Sequence, residues 1–318
     1  MEILLPILIS FIICVCISPV LIPVLKKMKF GQQILEDGPT WHKSKSGTPT
    51  MGGISFITGI VISVVVCGAV FGFSIPAVLG ISFAVLCGII GFVDDYIKVC
   101  LKRNMGFNVL QKTICLALAS AALIFCAVYF GVVDTTIAIP FTDIRFDLGF
   151  FYYILAFIAI FATVNSVNLT DGIDGLATSV TSVVMVFFAL ALFSTGNTGF
   201  AKLPLAVLGG LLGFLIFNIH PAKMFMGDTG SLFLGGMVSA LAILMGNPLI
   251  ILFAGLVYVF EALSVVIQVT SFKLTGKRVF KMTPIHHHFE QCGYSENKIV
   301  ILFSVTTAVL CVIGFISL

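Results

Sequence analysis

Charge is what this chain of 318 residues has least of. Asp, Glu, Lys and Arg make up 10% of it, against roughly a quarter in an average soluble domain. A folded globule of this size needs a water-facing surface, and these residues cannot build one. The nine cysteines are odd in number and lie mostly in apolar runs. No repeated CxxC spacing accompanies them, which argues against a disulfide framework or a structural zinc site. Long polar linkers, low-complexity tracts and internal repeats are also missing, so one domain, 1–318, is expected. The glycines near residue 50 lack the GxxxxGK[ST] spacing of a P-loop. No nucleic-acid partner is expected.

Apolar sequence fills the rest: 59% hydrophobic residues, 31 Phe and a mean hydropathy of +1.17. A bilayer core about 30 Å thick takes roughly 20 apolar residues to cross as a helix. By that measure ten spans are predicted, at 3–25, 52–72, 75–93, 110–131, 149–165, 176–194, 200–218, 231–246, 248–270 and 298–317. The first is too long for a signal-peptide core and is expected to be retained. The fold class is thus an all-α polytopic integral membrane protein.

Ten alternating spans put both termini on one side. Of the 17 Lys and Arg, only Arg145 and Lys202 fall on that side, leaving 15 opposite. The positive-inside rule then makes the 15-residue side cytoplasmic and both termini outside. Alternation around Pro140, in Thr135–Ile139 and Ile144–Asp147, predicts a small outer, periplasmic β-hairpin.

Polar residues gather at the cytoplasmic ends of the spans. Carboxylates beside hydrocarbon are costly and point to function. Span 3 ends in Asp94-Asp95-Tyr96-Ile97-Lys98, where Lys98 reaches both carboxylates on a helix. Such a pair with a basic partner suits Mg²⁺ or an Mg²⁺-bound diphosphate; a solvated helix end is the plainer alternative. Asn165, Asn168, Asp171 and Asp174 recur every third residue at the end of span 5, so a helix would place them near one face. A ligand site is favoured there over a polar cap.

The loop from Asn218 carries Phe225, Gly227 and Asp228 into the start of span 8. Backbone N–H groups at that start are expected to hold phosphate, with Asp228 on a counter-cation and Phe225 stacked on a flat ring. An ordinary N-cap is the competing reading. His286, His287 and His288 precede span 10. Consecutive histidines do not point one way on a helix, so phosphate or sugar contacts are preferred to zinc. Further candidates are Lys45 to Gly53, Lys112 at the start of span 4, and Glu261 with Gln268 on one face of span 9. An enzyme cleft at one membrane interface fits this distribution better than a transporter, whose charges would sit at mid-membrane.

Together these residues resemble the polyprenyl-phosphate N-acetylhexosamine-1-phosphate transferase superfamily, along essentially the whole chain. Asp94-Asp95-Tyr96-Ile97-Lys98 matches its DDxxK, Asn168 to Gly175 its NLTDGxDG, and Asn218 to Asp228 its NxxPAxxFMGD. Thr48 to Gly53 and Pro284 to Glu290 resemble the muramoyl-pentapeptide branch rather than the N-acetylglucosamine-phosphate branches. Leu35 departs from the family, which has arginine there.

The resemblance implies transfer of phospho-N-acetylmuramoyl-pentapeptide from UDP-N-acetylmuramoyl-pentapeptide to undecaprenyl phosphate, giving lipid I and UMP. It implies Mg²⁺ as cofactor, membrane lipid as surroundings, a homodimer, and a place in the bacterial inner (cytoplasmic) membrane with the active site on the cytoplasmic face. The residues implied as catalytic are Asp94, Asp95, Asp228 and His287. Asp228 would bind Mg²⁺, joined by Asp94 or Asp171. Those implied for substrate are Lys45, Thr50, Lys98, Lys112, Asn165, Asn168, Asp171, Asp174, Asn218, Phe225, Gly227, Gln268, His286 and His288.

Overall fold

The structure, a computed structural model, describes residues 1–28, 47–100, 106–142 and 144–318, with the backbone alone at 99 and 100. Lys45 and Leu35 lie outside the described residues.

Among the described residues, ten helices are long and apolar enough to cross a membrane. They are α1 (Leu4–Lys27), α2 (Gly53–Phe71), α3 (Ile75–Cys100), α4 (Val109–Tyr129), α5 (Phe150–Thr170), α6 (Leu176–Ser194), α7 (Thr198–Asn218), α8 (Gly227–Leu244), α10 (Leu256–Thr275) and α12 (Glu296–Ile316). Two shorter helices, α9 (Ile251–Ala254) and α11 (Ile285–Gln291), lie between them. A helix satisfies every backbone polar group within itself, which is why apolar runs of this length take that form in hydrocarbon. Side chains such as Leu118, Phe125, Ile301, Val305 and Ile316 stand exposed on α4 and α12, as a lipid-facing surface requires. The protein is a multi-pass membrane protein.

Strands β1 (Thr136–Ala138) and β2 (Arg145–Asp147) pair antiparallel, with Ile137 opposite Phe146. The hairpin follows the alternation in the sequence.

Helix α8 is the hub. Every residue from Thr229 to Leu244 is buried, and α3 and α5 pack along it. The approach of α3 is closest at Gly91, where a Cβ would come within 2.1 Å of the Asp228 carbonyl oxygen. Only a residue without a side chain allows this contact, as small residues do generally between membrane helices. Asp94 and Asp95 follow within about one helical turn of Gly91, so this packing sets them beside the start of α8.

Four of the expected spans differ most from the observed helices. Helix α3 runs on through Asp94, Asp95 and Lys98, and α5 through Asn168 to Thr170. Both overrun the apolar window because their polar residues find partners on neighbouring helices. Helix α8 starts at Gly227, four residues before its expected start, so Asp228 stands in its first turn. The expected span 248–270 is broken: a 3-10 turn at Pro248–Ile250 leads into α9, and Gly255 separates α9 from α10. The break falls at Gly255, which has no side chain to hold helical geometry, whereas Pro248 occupies the first helical position, where a missing N–H is tolerated.

Candidate active site

The first turn of α8 carries Asp228, a carboxylate reached by three side chains. Asp228 Oδ2 accepts from Lys98 Nζ at 2.8 Å and from Lys112 Nζ at 3.1 Å. Its Oδ1 accepts from Asn168 Nδ2 at 2.9 Å, and the same amide donates to Ser231 Oγ at 2.7 Å. Lys98 Nζ also lies 2.6 Å from Asp94 Oδ2, with Lys112 Nζ 4.0 Å from the same oxygen. Four helices, α3, α4, α5 and α8, thus meet on two carboxylates and two ammonium groups.

Local structure places each of them. A reciprocal capping box starts α4: Gln111 N–H donates to Asn108 Oδ1, and Asn108 N–H donates to Gln111 Oε1. Lys112 follows directly. Phe107 N–H, at the entry to α4, donates to Asp94 Oδ1 at 2.6 Å, tying it to the end of α3.

Asp95 has a different environment from Asp94. Its Oδ2 accepts from Thr229 N–H at 2.9 Å and Thr229 Oγ1 at 2.7 Å, and its Oδ1 from Asp228 N–H at 3.2 Å. The expectation that backbone N–H groups at this helix start hold phosphate is therefore not met at residues 228 and 229. A carboxylate delivered by α3 already occupies the positive end of the helix. Gly227 has φ +70°, and a Cβ on it would stand 2.6 Å from Asp95 Oδ2 and 2.8 Å from Thr50 Oγ1.

The row Asn165, Asn168, Asp171 and Asp174 does not act as one face. Helix α5 ends at Thr170. Asn165 Nδ2 turns back to the Phe161 carbonyl, whereas Asn168 reaches Asp228. Asp171, partly buried just past the helix end, has its carboxyl held well above the usual carboxylate range by burial, and the charges of Asp228, Asp95 and Asp174 push the same way. A carboxyl perturbed in this manner is a mark of functional sites. Buried Asp174 accepts from Ala222 N–H at 3.0 Å and lies 2.9 Å from His220 Nδ1.

Segment 49–53 pairs with 225–226 through Phe225 N–H to Pro49 O and through Gly52 and Gly53 N–H to Phe225 O and Met226 O. Phe225 is half-buried there. Asn218 is buried, accepting from Thr178 Oγ1 and donating to the Met224 carbonyl. Gln268 is engaged by Val279 N–H, Phe280 N–H and the Phe280 carbonyl. Both amides hold loops in place.

The three histidines have different partners, although the His286 and His287 rings pack together with centroids 4.1 Å apart. His286 is fully buried with Nδ1 3.0 Å from Glu261 Oε2. His287 Nδ1 lies 2.5 Å from Glu290 Oε2, and His288 Nδ1 accepts from Lys281 N–H. His286 abuts the α5–α6 turn: a Cβ on Gly172 would meet its Nε2 at 2.1 Å.

Residues 77–246 match Glycosyl transferase family 4, and residues 45–57 match the phospho-N-acetylmuramoyl-pentapeptide-transferase signature 1. The chain is 48% identical over 313 residues to the phospho-N-acetylmuramoyl-pentapeptide-transferase of Clostridium botulinum (strain Alaska E43 / Type E3), covering 98% of this chain and 95% of that one. It is 49% identical over 319 residues to the enzyme of the same name from Clostridium beijerinckii, covering 100% and 97%. With the Bacillus subtilis (strain 168) enzyme of that name the identity is 46% over 314 residues, covering 98% and 96%. The chain belongs to the phospho-N-acetylmuramoyl-pentapeptide-transferase family.

As a member of that family it is a transferase. The glycosyl transferase match contains Asp94, Lys98, Lys112, Asn168 and Asp228 but ends before α10, so it omits Glu261 and His286. Signature 1 ends in α2 and includes Thr50, which flanks Gly227. Four site neighbours, Thr229, Ser231, His220 and Glu296, had not been assigned roles from sequence. Ser231 and Thr229 lie in the opening turns of α8, and Glu296 is a first-turn acid of α12. His220 had a signal, standing inside the matched 218–228 motif.

Proposed function

We propose that this protein transfers phospho-N-acetylmuramoyl-pentapeptide from its UDP carrier to undecaprenyl phosphate, releasing UMP and forming lipid I. Chain 1–318 acts as a single transmembrane domain in the bacterial cytoplasmic membrane, with both termini and the hairpin outside and the site on the cytoplasmic face. The observation that carries this reading is the convergence of Lys98, Lys112 and Asn168 on Asp228, beside Asp94. Phosphoryl transfer needs positioning and charge stabilisation more than covalent participation by the protein.

The residues fit Mg²⁺. Asp228 and Asp94 offer hard oxygen donors, and those oxygens already face two ammonium groups, so the position favours positive charge. Asp228 would hold the ion, with Asp94 or Asp171 completing the set. Its chemistry when bound is neutralisation of charge on the diphosphate.

The chain's own residues do the rest. Lys98 and Lys112 swing from Asp228 to the diphosphate oxygens. Asn168 keeps the Asp228 carboxylate oriented, and Asp95 fixes the start of α8. A phosphate oxygen of the lipid attacks the phosphorus bearing the sugar, and the bond to UMP breaks, so UMP departs with that electron pair. Asp94, among the most enclosed carboxylates here, is placed to act as base. Phe225 and Thr50 line the nucleotide side, and His286, set by Glu261, closes the site against the Gly172 turn.

The deciding assay measures UMP released by purified protein with Mg²⁺ and undecaprenyl phosphate, comparing UDP-N-acetylmuramoyl-pentapeptide with UDP-N-acetylglucosamine. UMP from the muramoyl donor is expected; its absence would overturn the proposal. Radiolabelled phosphosugar trapped on the protein without lipid substrate would replace direct attack by a two-step route.

A further inference from the structure

Three side chains from separate elements meet away from the Asp94–Asp228 ring. Asp174 lies in the α5–α6 turn, His220 just past α7 and Glu296 at the first residue of α12. One donor atom from each falls within 4.8 Å of the other two. His220 Nδ1 stands 2.9 Å from Asp174 Oδ2 and 3.5 Å from Glu296 Oε1. We propose that Asp174, His220 and Glu296 form a second metal site, selective for an imidazole-preferring divalent transition ion such as Zn²⁺.

The spacing suits such an ion. Two ligands bonded at about 2.1 Å around a tetrahedral Zn²⁺ stand about 3.4 Å apart. The observed 2.9 and 3.5 Å bracket that separation. The two separations from His220 therefore need only a few tenths of an ångström of adjustment for coordination.

Backbone groups hold both carboxylates in position. Ala222 N–H donates to Asp174 Oδ2 at 3.0 Å. Asp174 N–H donates to Glu296 Oε2 at 3.0 Å, leaving Oε1 as the oxygen turned to the imidazole. Partners of this kind orient metal ligands. His220 and Glu296 are less enclosed than Asp174, so an ion has a path in from solvent, which also supplies the remaining ligand position.

The donor set separates this site from the other. Mg²⁺ prefers an all-oxygen shell and keeps its waters, whereas an imidazole nitrogen favours Zn²⁺ and its neighbours in the transition series. A bound ion would link the α5–α6 turn, the α7–α8 loop and the start of α12 by coordination.

The test uses full-length detergent-purified protein stripped of metal and kept in excess Mg²⁺. Co²⁺, as a spectroscopic stand-in for Zn²⁺, should give visible d–d bands without thiolate charge transfer. X-ray absorption of the Zn²⁺ form should show a single imidazole among oxygen ligands, and His220→Ala and Glu296→Gln should each weaken binding about tenfold or more. Sulfur or several imidazoles in the ion's shell would move it to the His286–Cys292 segment and overturn the proposal. Undiminished binding in both variants would overturn it equally, as would failure to retain Zn²⁺ beside Mg²⁺. The absorption measurement needs only the unaltered protein, so it decides even if the variants fold poorly.

Discussion

Asp95 of α3 caps α8 through Thr229, accepting the backbone N–H at 2.9 Å and the hydroxyl at 2.7 Å. A helix start usually finds its capping oxygen in the residue just before it. Here Met226 precedes Gly227 and offers none, and a carboxylate more than a hundred residues away supplies the need. Capping and assembly of the site are consequently one event: α8 is complete only when α3 is docked.

Thr229→Val tests that coupling, because it keeps the side-chain shape and deletes one bond to Asp95. Loss of a capping interaction typically costs about 1 kcal/mol, more where a buried carboxylate loses a donor. The thermal midpoint should fall, and kcat should fall by about threefold to tenfold as Asp228 shifts, a loss in the range of one such bond. An unchanged midpoint and rate would mean that the cap neither stabilises α8 nor positions Asp228.

Asp228→Ala should abolish turnover while leaving the fold intact. Removing a charge-stabilising group of this kind costs about 10²–10³-fold or more in rate. Lys98 keeps Asp94 as its partner at 2.6 Å, so the ring of charges does not collapse. Thermal melting and UMP release on the same preparation separate the two effects. Residual activity near that of the unaltered protein would remove Asp228 from the mechanism.

Chelation should stop the reaction, and restoring Mg²⁺ should recover it. Asp228 and Asp94 are then left facing Lys98 and Lys112. Full turnover after exhaustive chelation would exclude the Mg²⁺ role assigned to Asp228.

Much of this was legible in the sequence. Ten apolar runs became ten membrane-length helices because hydrocarbon leaves the backbone no alternative. The DDxxK segment, Lys112 and Asp228 stand out because charge at a membrane edge is expensive, and Asn168 because of its spacing with Asn165, Asp171 and Asp174. What could not be read was direction. Asp94 and Asp95 are adjacent and chemically identical, yet a helix sends one to the lysines and the other to Thr229. Asn218 and Gln268 belong to the expected substrate set, but their amides are engaged by loop backbone. Their roles depend on what packs opposite, and periodicity carries no information about that. Glu296 was invisible for the same reason, since its partners lie more than seventy residues away.

The β-hairpin offers a pH test outside the spans. The Thr136 hydroxyl and N–H hold the Asp134 carboxyl below the usual range, and the Thr135 hydroxyl and Gly149 N–H do the same for Asp147. A carboxyl lowered on folding adds stability above its ordinary value, about 4, and loses it as pH falls through the lowered one. Protection of the Thr136 and Gly149 amides against hydrogen exchange, corrected for intrinsic rates, should therefore fall on acidification below about pH 4. Protection that stays constant to pH 2, on the order of two units lower, would show that neither carboxylate supports the hairpin.

His286 and Gly172 give the sharpest test of the loop-to-turn contact. The imidazole is wholly buried, its Nδ1 meets Glu261, and its Nε2 has no hydrogen-bond partner among the described residues. A methyl group at 172 would stand 2.1 Å from that Nε2, far inside van der Waals contact. Gly172→Ala should thus displace the ring or the turn, at a cost of about 1–3 kcal/mol typical of overpacking. His286→Ala opens the space but leaves the Glu261 carboxylate buried without a partner, which is destabilising by a separate route. In the double variant the clash is gone, so adding Gly172→Ala on the His286→Ala background should cost almost nothing. The coupling energy from thermal or denaturant unfolding then approaches the full cost of the Gly172→Ala change. Additive effects would show that the two residues do not touch in the folded protein, and with that the placement of His286 against the Asp171–Asp174 turn would fail.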